Sequence, residues 1–250
     1  MELTEKEISA RLIETRNRLP QSVQLVAVSK THPTSAIQAA YNAGQRLFGE
    51  NKVQEMTAKQ SELPKDIEWH FIGHVQKNKI RIMAPYVSVI QGIDSFEALA
   101  EVDRQAKKCG RTIRCLLQIH VAREESKFGF TPDAVRQMLA EGQWQSLDNV
   151  QIAGVMGMAT NTDDQSQVLQ EFQTLVSLFN EFKSRWFASD PEFRIISAGM
   201  SDDHDLAIQA GSNMVRIGSA IFGHRDYSNT NPSSEQGTGP VRDTIYTNPL

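Results

Sequence analysis

The sequence predicts an α/β fold closed as a single (β/α)8 TIM barrel, and three observations carry that expectation. Eight short runs rich in β-branched and apolar residues recur along the chain, helical patterns separate them, and no shift in composition interrupts the alternation before about residue 228. Strictly repeating βα units imply parallel strands covered by helices, and eight of them within 250 residues imply closure. A doubly wound open sheet is the alternative arrangement of the same elements. The expected organisation is a barrel domain over 1–228 and a flexible polar tail over 229–250, where turn residues such as Asn231-Pro232-Ser233-Ser234 and Gly237-Thr238-Gly239-Pro240 replace the alternation.

Thr4-x-x-Glu7 has the form of a capping box, and Ile8, Leu12, Ile13 and Leu19 leave an apolar stripe that Pro20 ends, so an amphipathic helix opens the chain. Strands are expected over 24–29, 46–49, 68–72, 87–92, 112–121, 150–156, 193–197 and 214–218. Helices are expected between them, near 34–43, 51–61, 75–83, 95–109, 132–141, 163–187 and 202–210.

Lysine and arginine number 26 against 30 aspartate and glutamate, a net charge of −4, with no block of five like charges. That balance argues against a nucleic-acid partner bound through a broad basic field. Apolar stretches such as 152–159 are far too short for a bilayer, and the opening Met1-Glu2-Leu3-Thr4-Glu5 is acidic where a secretory signal would be basic. The expected location is cytoplasmic, with no membrane partner. Cys109 and Cys115 show neither a CxxC spacing nor companion histidines, so they read as incidental thiols.

In a barrel of this kind the chemistry lies at the C-terminal ends of the strands. The first strand delivers Val26-Ala27-Val28-Ser29-Lys30. A lysine there is either a solvated side chain opening a loop or an amine whose depressed pKa frees it for a Schiff base. Strands seven and eight deliver Ser197-Ala198-Gly199-Met200-Ser201 and Arg216-Ile217-Gly218-Ser219, in the loops where this fold commonly binds phosphate. Ser201 reads as an N-cap of the following helix that could also meet an anion. Arg216 interrupts an apolar strand and shares a face with Gly218, so it needs either a structural carboxylate or a ligand at the mouth. Asn51 follows strand two as a hydrogen-bonding group or an ordinary cap. His70 and His74 lack the glutamate of a zinc-protease helix, which argues against a metal. Met156 reads as packing beneath or beside a flat ligand.

An aldehyde-accepting lysine, a cation near a ring and a phosphate cradle together describe a pyridoxal 5′-phosphate site. Val26-Ala27-Val28-Ser29-Lys30, Phe48-Gly49-Glu50-Asn51-x-x-Gln54-Glu55, Trp69-His70-Phe71-Ile72-Gly73-His74-x-Gln76-x-Asn78-Lys79, Gly199-Met200-Ser201-x-Asp203, and Val215-Arg216-Ile217-Gly218 followed by Ile221-Phe222-Gly223 closely resemble the YggS/PROSC family of pyridoxal phosphate homeostasis proteins. The resemblance implies a fold-type III barrel similar to the N-terminal domain of alanine racemase, with the cofactor as an aldimine on Lys30. It implies phosphate contacts from Ser201, Gly218 and Ser219, and Arg216 near the pyridine nitrogen. Asn51, Met156, Ser197, Gly199 and Met200 complete the expected cofactor-binding set.

The resemblance further implies a role in intracellular vitamin B6 and amino-acid homeostasis, without catalytic turnover, with apoenzymes that use the cofactor as partners. Two alternatives stand beside it. A racemase of the alanine racemase pattern needs a tyrosine base from a partner's added domain, and the four tyrosines here, Tyr41, Tyr86, Tyr227 and Tyr246, lie in a helix, before strand four, and in or near the tail. Without such a domain a monomer is expected. The other alternative is a cofactor-free barrel that binds a phosphometabolite on the same loops.

Overall fold

The computed structural model describes residues 3–124 and 128–223, so the tail expected over 229–250 lies outside the described residues. Eight parallel strands close into a barrel in chain order: β1 (Gln24–Val28), β2 (Leu47–Glu50), β3 (Glu68–Phe71), β4 (Val89–Ile93), β5 (Ile113–Gln118), β6 (Val150–Met156), β7 (Ile195–Ser197) and β8 (Met214–Ile217). The last strand pairs with the first in the register Val26 to Arg216 and Ala27 to Ile217. The open-sheet alternative is therefore excluded. Around the barrel run α1 (Glu5–Arg18), α2 (Thr34–Asn42), α3 (Val53–Glu62), α4 (Lys77–Met83), α5 (Phe96–Lys108), α6 (Pro132–Glu141), α7 (Gln165–Arg185), α8 (His204–Ala210) and the single turn α9 (Ser219–Phe222), with a 3-10 turn at Gln143–Ser146.

Local signals explain where the helices start. Both halves of the capping box form at the head of α1, where Glu7 N–H donates to Thr4 Oγ1 and the Thr4 amide to Glu7 Oε2. At α5 and α6 only the forward half is made, Ser95 and Thr131 accepting from the Ala98 and Ala134 amides, and α6 ends on Gly142 at φ +75°, a left-handed cap that glycine adopts without a Cβ clash. On α7 the buried stripe of Val168, Phe172, Leu175, Leu178 and Phe182 keeps the spacing of one helix face.

Two apolar clusters fill the molecule. Val26, Val89, Leu116, Ala153, Met156, Ile195 and Met214 pack inside the barrel. A much larger set, with Phe48, Trp69, Phe172 and Phe182 among its fully buried members, lies between the strands and the helices. Each such side chain contributes about 1.5–3 kcal/mol of transfer free energy. Alternation along the strands decides the faces, so residues two apart reach the same cluster. Among the described residues no helix is long and apolar enough to cross a membrane.

Candidate functional site at the barrel mouth

Lys30 stands two residues beyond the end of β1, half-buried. Its strand is flanked by β8 and β2. On the β8 side Gly218 lies so close that an added Cβ would sit 2.9 Å from the Val28 carbonyl oxygen, which explains glycine at that position. On the β2 side Val28 pairs with Gly49 and the Ser29 amide donates to the Gly49 carbonyl at 3.0 Å, so Lys30 and Asn51 follow the ends of neighbouring strands. Lys30, Asn51 and the loop after β8 are thus neighbours by strand order alone.

Arg216 is buried inside the barrel. Its guanidinium donates to Ser197 Oγ at 2.7 Å and to the Gly157 carbonyl at 3.0 Å. Ser197 passes the chain on by donating to Gln91 Oε1 at 2.7 Å, and Gln91 Nε2 reaches His70 Nδ1 at 2.9 Å. Because the Gln91 carbonyl oxygen is taken by the serine, its amide must donate, and His70 accepts at Nδ1 and carries its proton on Nε2. That Nε2 is buried without a hydrogen-bond partner. The sequence foresaw Arg216 and Ser197, but not Gln91 or the inward turn of His70. Its signal was available, since glutamine and histidine at buried positions of apolar strands ask for partners.

Burial lowers the Arg216 pKa to about 10, opposed by the nearby Asp203 carboxylate, so the group stays cationic at neutral pH. Both of its hydrogen-bond acceptors in this chain are neutral. Among the described residues it forms no salt bridge, so the structural carboxylate considered from the sequence is not what holds it.

Burial, with the Arg114 guanidinium adding to it, lowers the His70 pKa from 6.5 to about 3. The unfolded chain therefore binds a proton there, between those pH values, that the native protein refuses. Stability from this residue is complete above the unfolded pKa and is lost as the pH falls towards about 3, at about 1.4 kcal/mol per pH unit. Glu50 works the other way, since burial raises its pKa and the native state holds its proton longer. Denaturant titrations between pH 7 and 4 are expected to show that loss, and a His70→Gln protein to show a slope smaller by nearly one proton. Equal slopes in the two proteins would refute the neutral, buried histidine.

The loops after β7 and β8 come together. The Arg216 amide donates to the Gly199 carbonyl at 2.9 Å. Gly199 has φ +96°, and a Cβ there would fall 2.8 Å from Ala207 Cβ, so the turn requires glycine. Ser201 Oγ lies 3.0 Å from Ser219 Oγ. Ser201 is not the N-cap of α8 that the sequence predicts, because that helix starts three residues later behind Asp203. The Asp203 carboxylate instead accepts from the Met200 amide at 2.6 Å and closes the turn in which Ser201 sits, freeing the serine hydroxyl for the opposite loop. Ser219 is exposed and Ser201 half-buried, so two hydroxyls and two glycine-containing loops face the same opening. Met200 is 38% exposed at the rim, whereas Met156 is buried inside the barrel alongside Ser197.

Asn51 lines a recess of about 220 Å³ with Gln54, Phe71, His74 and Lys79. A larger cavity of about 550 Å³ lies at the opposite end, against the starts of β1 and β2, and includes none of the predicted site residues. Tyr41 bonds Asp66 and Tyr86 bonds Thr57. Tyr41 lies near the end of α2, and Tyr86 lies between α4 and β4. Among the described residues no group of three or more His, Cys, Asp or Glu side chains could hold a metal ion.

A buried ion cluster that was not expected from the sequence lies behind Lys30, formed by Lys59, Glu50 and Glu55 with Ser29. A glutamate inside the apolar strand Leu47–Glu50, followed by an i,i+4 Glu–Lys pair, was its only trace.

The family described as alanine racemase, N-terminal domain, matches residues 4–226. The pyridoxal phosphate homeostasis protein of Vibrio alginolyticus is 42% identical over 216 residues, covering 84% of this chain and 90% of that protein. The protein of the same name from Escherichia coli is 36% identical over 215 residues, covering 84% and 89%. Among solved structures, PipY of Synechococcus elongatus with pyridoxal phosphate bound has 37% identity and a TM-score of 0.77, over 86% of this chain and all of that one. Alanine racemase from E. faecalis, at 17% identity and a TM-score of 0.68, covers 92% of this chain but 60% of its own, and shares the fold.

Proposed function

The chain belongs to the pyridoxal phosphate homeostasis protein family, and from that premise we propose that it binds pyridoxal 5′-phosphate through Lys30 as a carrier without turnover. The observation that supports this most directly is Arg216, a buried guanidinium held only by neutral groups on the strand next to Lys30. When bound, the cofactor supplies an aldehyde that an amine can capture and a ring that withdraws electrons.

The residues present fit that group. Lys30 offers the amine. Ser201 and Gly199 in the turn after β7, with Gly218 and Ser219 at the head of α9, present hydroxyls and backbone that suit a phosphate. Arg216 places a fixed cation for the ring nitrogen to face, which disfavours protonation of that nitrogen and weakens the ring as an electron sink. Ser197 holds Arg216 in place, Met156 is buried on the strand position paired with Ser197, and Asn51 and Met200 border the opening. A ring so disposed suits storage and delivery better than catalysis, and Tyr41 and Tyr86 are engaged elsewhere rather than offered as a second base. Apoenzymes that need the cofactor are its proposed recipients, and a cytoplasmic monomer its working form.

The direct test is the absorbance spectrum of the protein with added pyridoxal phosphate, before and after borohydride, followed by peptide mapping. A visible band abolished by reduction, with label on Lys30, supports the proposal; no band in excess cofactor overturns it and leaves a barrel for phosphometabolites. Rapid solvent-deuterium incorporation at Cα of alanine would instead mark a racemase.

Arg216→Gln is expected to shift that band and weaken retention about tenfold or more, in line with loss of one charge-assisted contact of 1.5–3 kcal/mol, while the fold persists. An unchanged spectrum and affinity would remove Arg216 from the site.

A further inference from the structure

The ion cluster on the outer side of β1 and β2 has no place in this reading. Lys59, whose side chain is 7% exposed, donates to Glu50 Oε1 and to the Ser29 carbonyl, each at 2.8 Å, and to Glu55 Oε1 at 2.6 Å. Glu50 Oε1 also accepts from Ser29 Oγ at 2.7 Å. Glu55 Oε1 also accepts from the Thr31 amide at 2.6 Å. One buried ammonium therefore organises the residue before Lys30 through its carbonyl and hydroxyl, and the residue after it through its amide.

Thr31 supplies a second, independent observation. Its φ is +70°, and among the described residues it is the one non-glycine residue in the left-handed region. A β-branched residue is unfavourable there, and such a conformation persists where the surroundings enforce it. Two contacts hold it there: the His32 amide donates to the Ser29 carbonyl at 3.1 Å and closes a turn with Thr31 at its third position, and the Thr31 amide is drawn onto Glu55, which in turn is drawn onto Lys59.

We propose that Lys59, acting through Glu50 and Glu55, is a positioning residue for Lys30. The cluster grips both neighbours of Lys30, supports Thr31 in its left-handed turn, and so fixes the backbone from which the Lys30 side chain leaves. A preoriented amine captures an aldehyde faster than one that must search for the geometry. The inference rests on Lys30 being the attachment lysine.

Glu55 gives the decisive variants, since its side chain is 23% exposed and its loss leaves the Glu50–Lys59 pair in place. The rate at which borohydride traps pyridoxal phosphate on Lys30 after mixing, and the melting temperature, are measured for the parent, Glu55→Ala and Glu55→Gln. Glu55→Ala releases the Thr31 amide and is expected to slow trapping about tenfold, with little change in melting temperature because relief of strain offsets the lost contact. Glu55→Gln retains an acceptor for that amide and is expected to recover most of the rate. A purely structural cluster predicts instead that trapping follows melting temperature and that Ala and Gln behave alike; that result, or parental trapping in Glu55→Ala, overturns the positioning role. A parent that takes no label on Lys30 overturns the cofactor reading and this inference with it, whereas a normally labelled parent confines any failure to Lys59 and its partners.

Discussion

Lys30→Ala is expected to abolish borohydride-trapped pyridoxal phosphate altogether, while the protein keeps its fold and a weaker, noncovalent hold on the cofactor. The side chain leaves β1 at a half-buried position, and the interior clusters that stabilise the barrel do not include it. The Ser201–Ser219 and Arg216–Ser197 hydrogen bonds do not involve Lys30, so the phosphate and ring contacts proposed for those residues are expected to persist. The visible band is expected to give way to that of the free aldehyde, and equilibrium dialysis to show loosened but saturable binding. Full labelling of the variant on Lys52 or Lys79, which line the neighbouring recess, would move the attachment point to the β2–β3 side of the mouth.

Lys59→Met is expected to destabilise the fold by about 3–5 kcal/mol at neutral pH, because it strands the fully buried Glu50 carboxylate without its cation. Burial already pushes the Glu50 pKa up, with Lys59 the principal group opposing that rise. Without Lys59 the folded pKa climbs further above its unfolded value. A carboxyl in that position contributes stability that is present below the unfolded pKa and lost as the pH rises through the folded one. The deficit of Lys59→Met should therefore shrink on acidification, opposite in sign to the His70 effect. The double variant Glu50→Gln, Lys59→Met removes both charges and is expected to recover much of the loss. Equal denaturation midpoints for Lys59→Met and the parent would mean that the pair contributes nothing to stability.

Much of this was legible along the chain because barrels advertise themselves. Eight apolar runs at regular intervals have few other ways to bury both faces, and the capping box at Thr4 and Glu7 formed as read. The ends were less legible. The strand expected over 87–92 is Val89–Ile93, the helix expected from 202 starts at His204, and α9 follows β8 where a loop was expected. Short elements at loop junctions are set by which backbone groups find partners across the mouth, and no local pattern encodes those.

Taken alone, the sequence determined the barrel, the family, and the lysine, serines, glycines and arginine that end strands one, seven and eight, since strand-end position follows from counting. The tertiary structure decided how they are held. It gave Ser201 to Ser219 instead of to a helix, joined Arg216 to His70 through Ser197 and Gln91, and set Lys59 behind Lys30. Ser197 and Gln91 are 106 positions apart, and Lys59 and Ser29 are 30 apart. Such pairs exist only once closure brings the strands side by side, because hydrogen bonds and ion pairs are read from distance in space and periodicity records only which face a residue occupies.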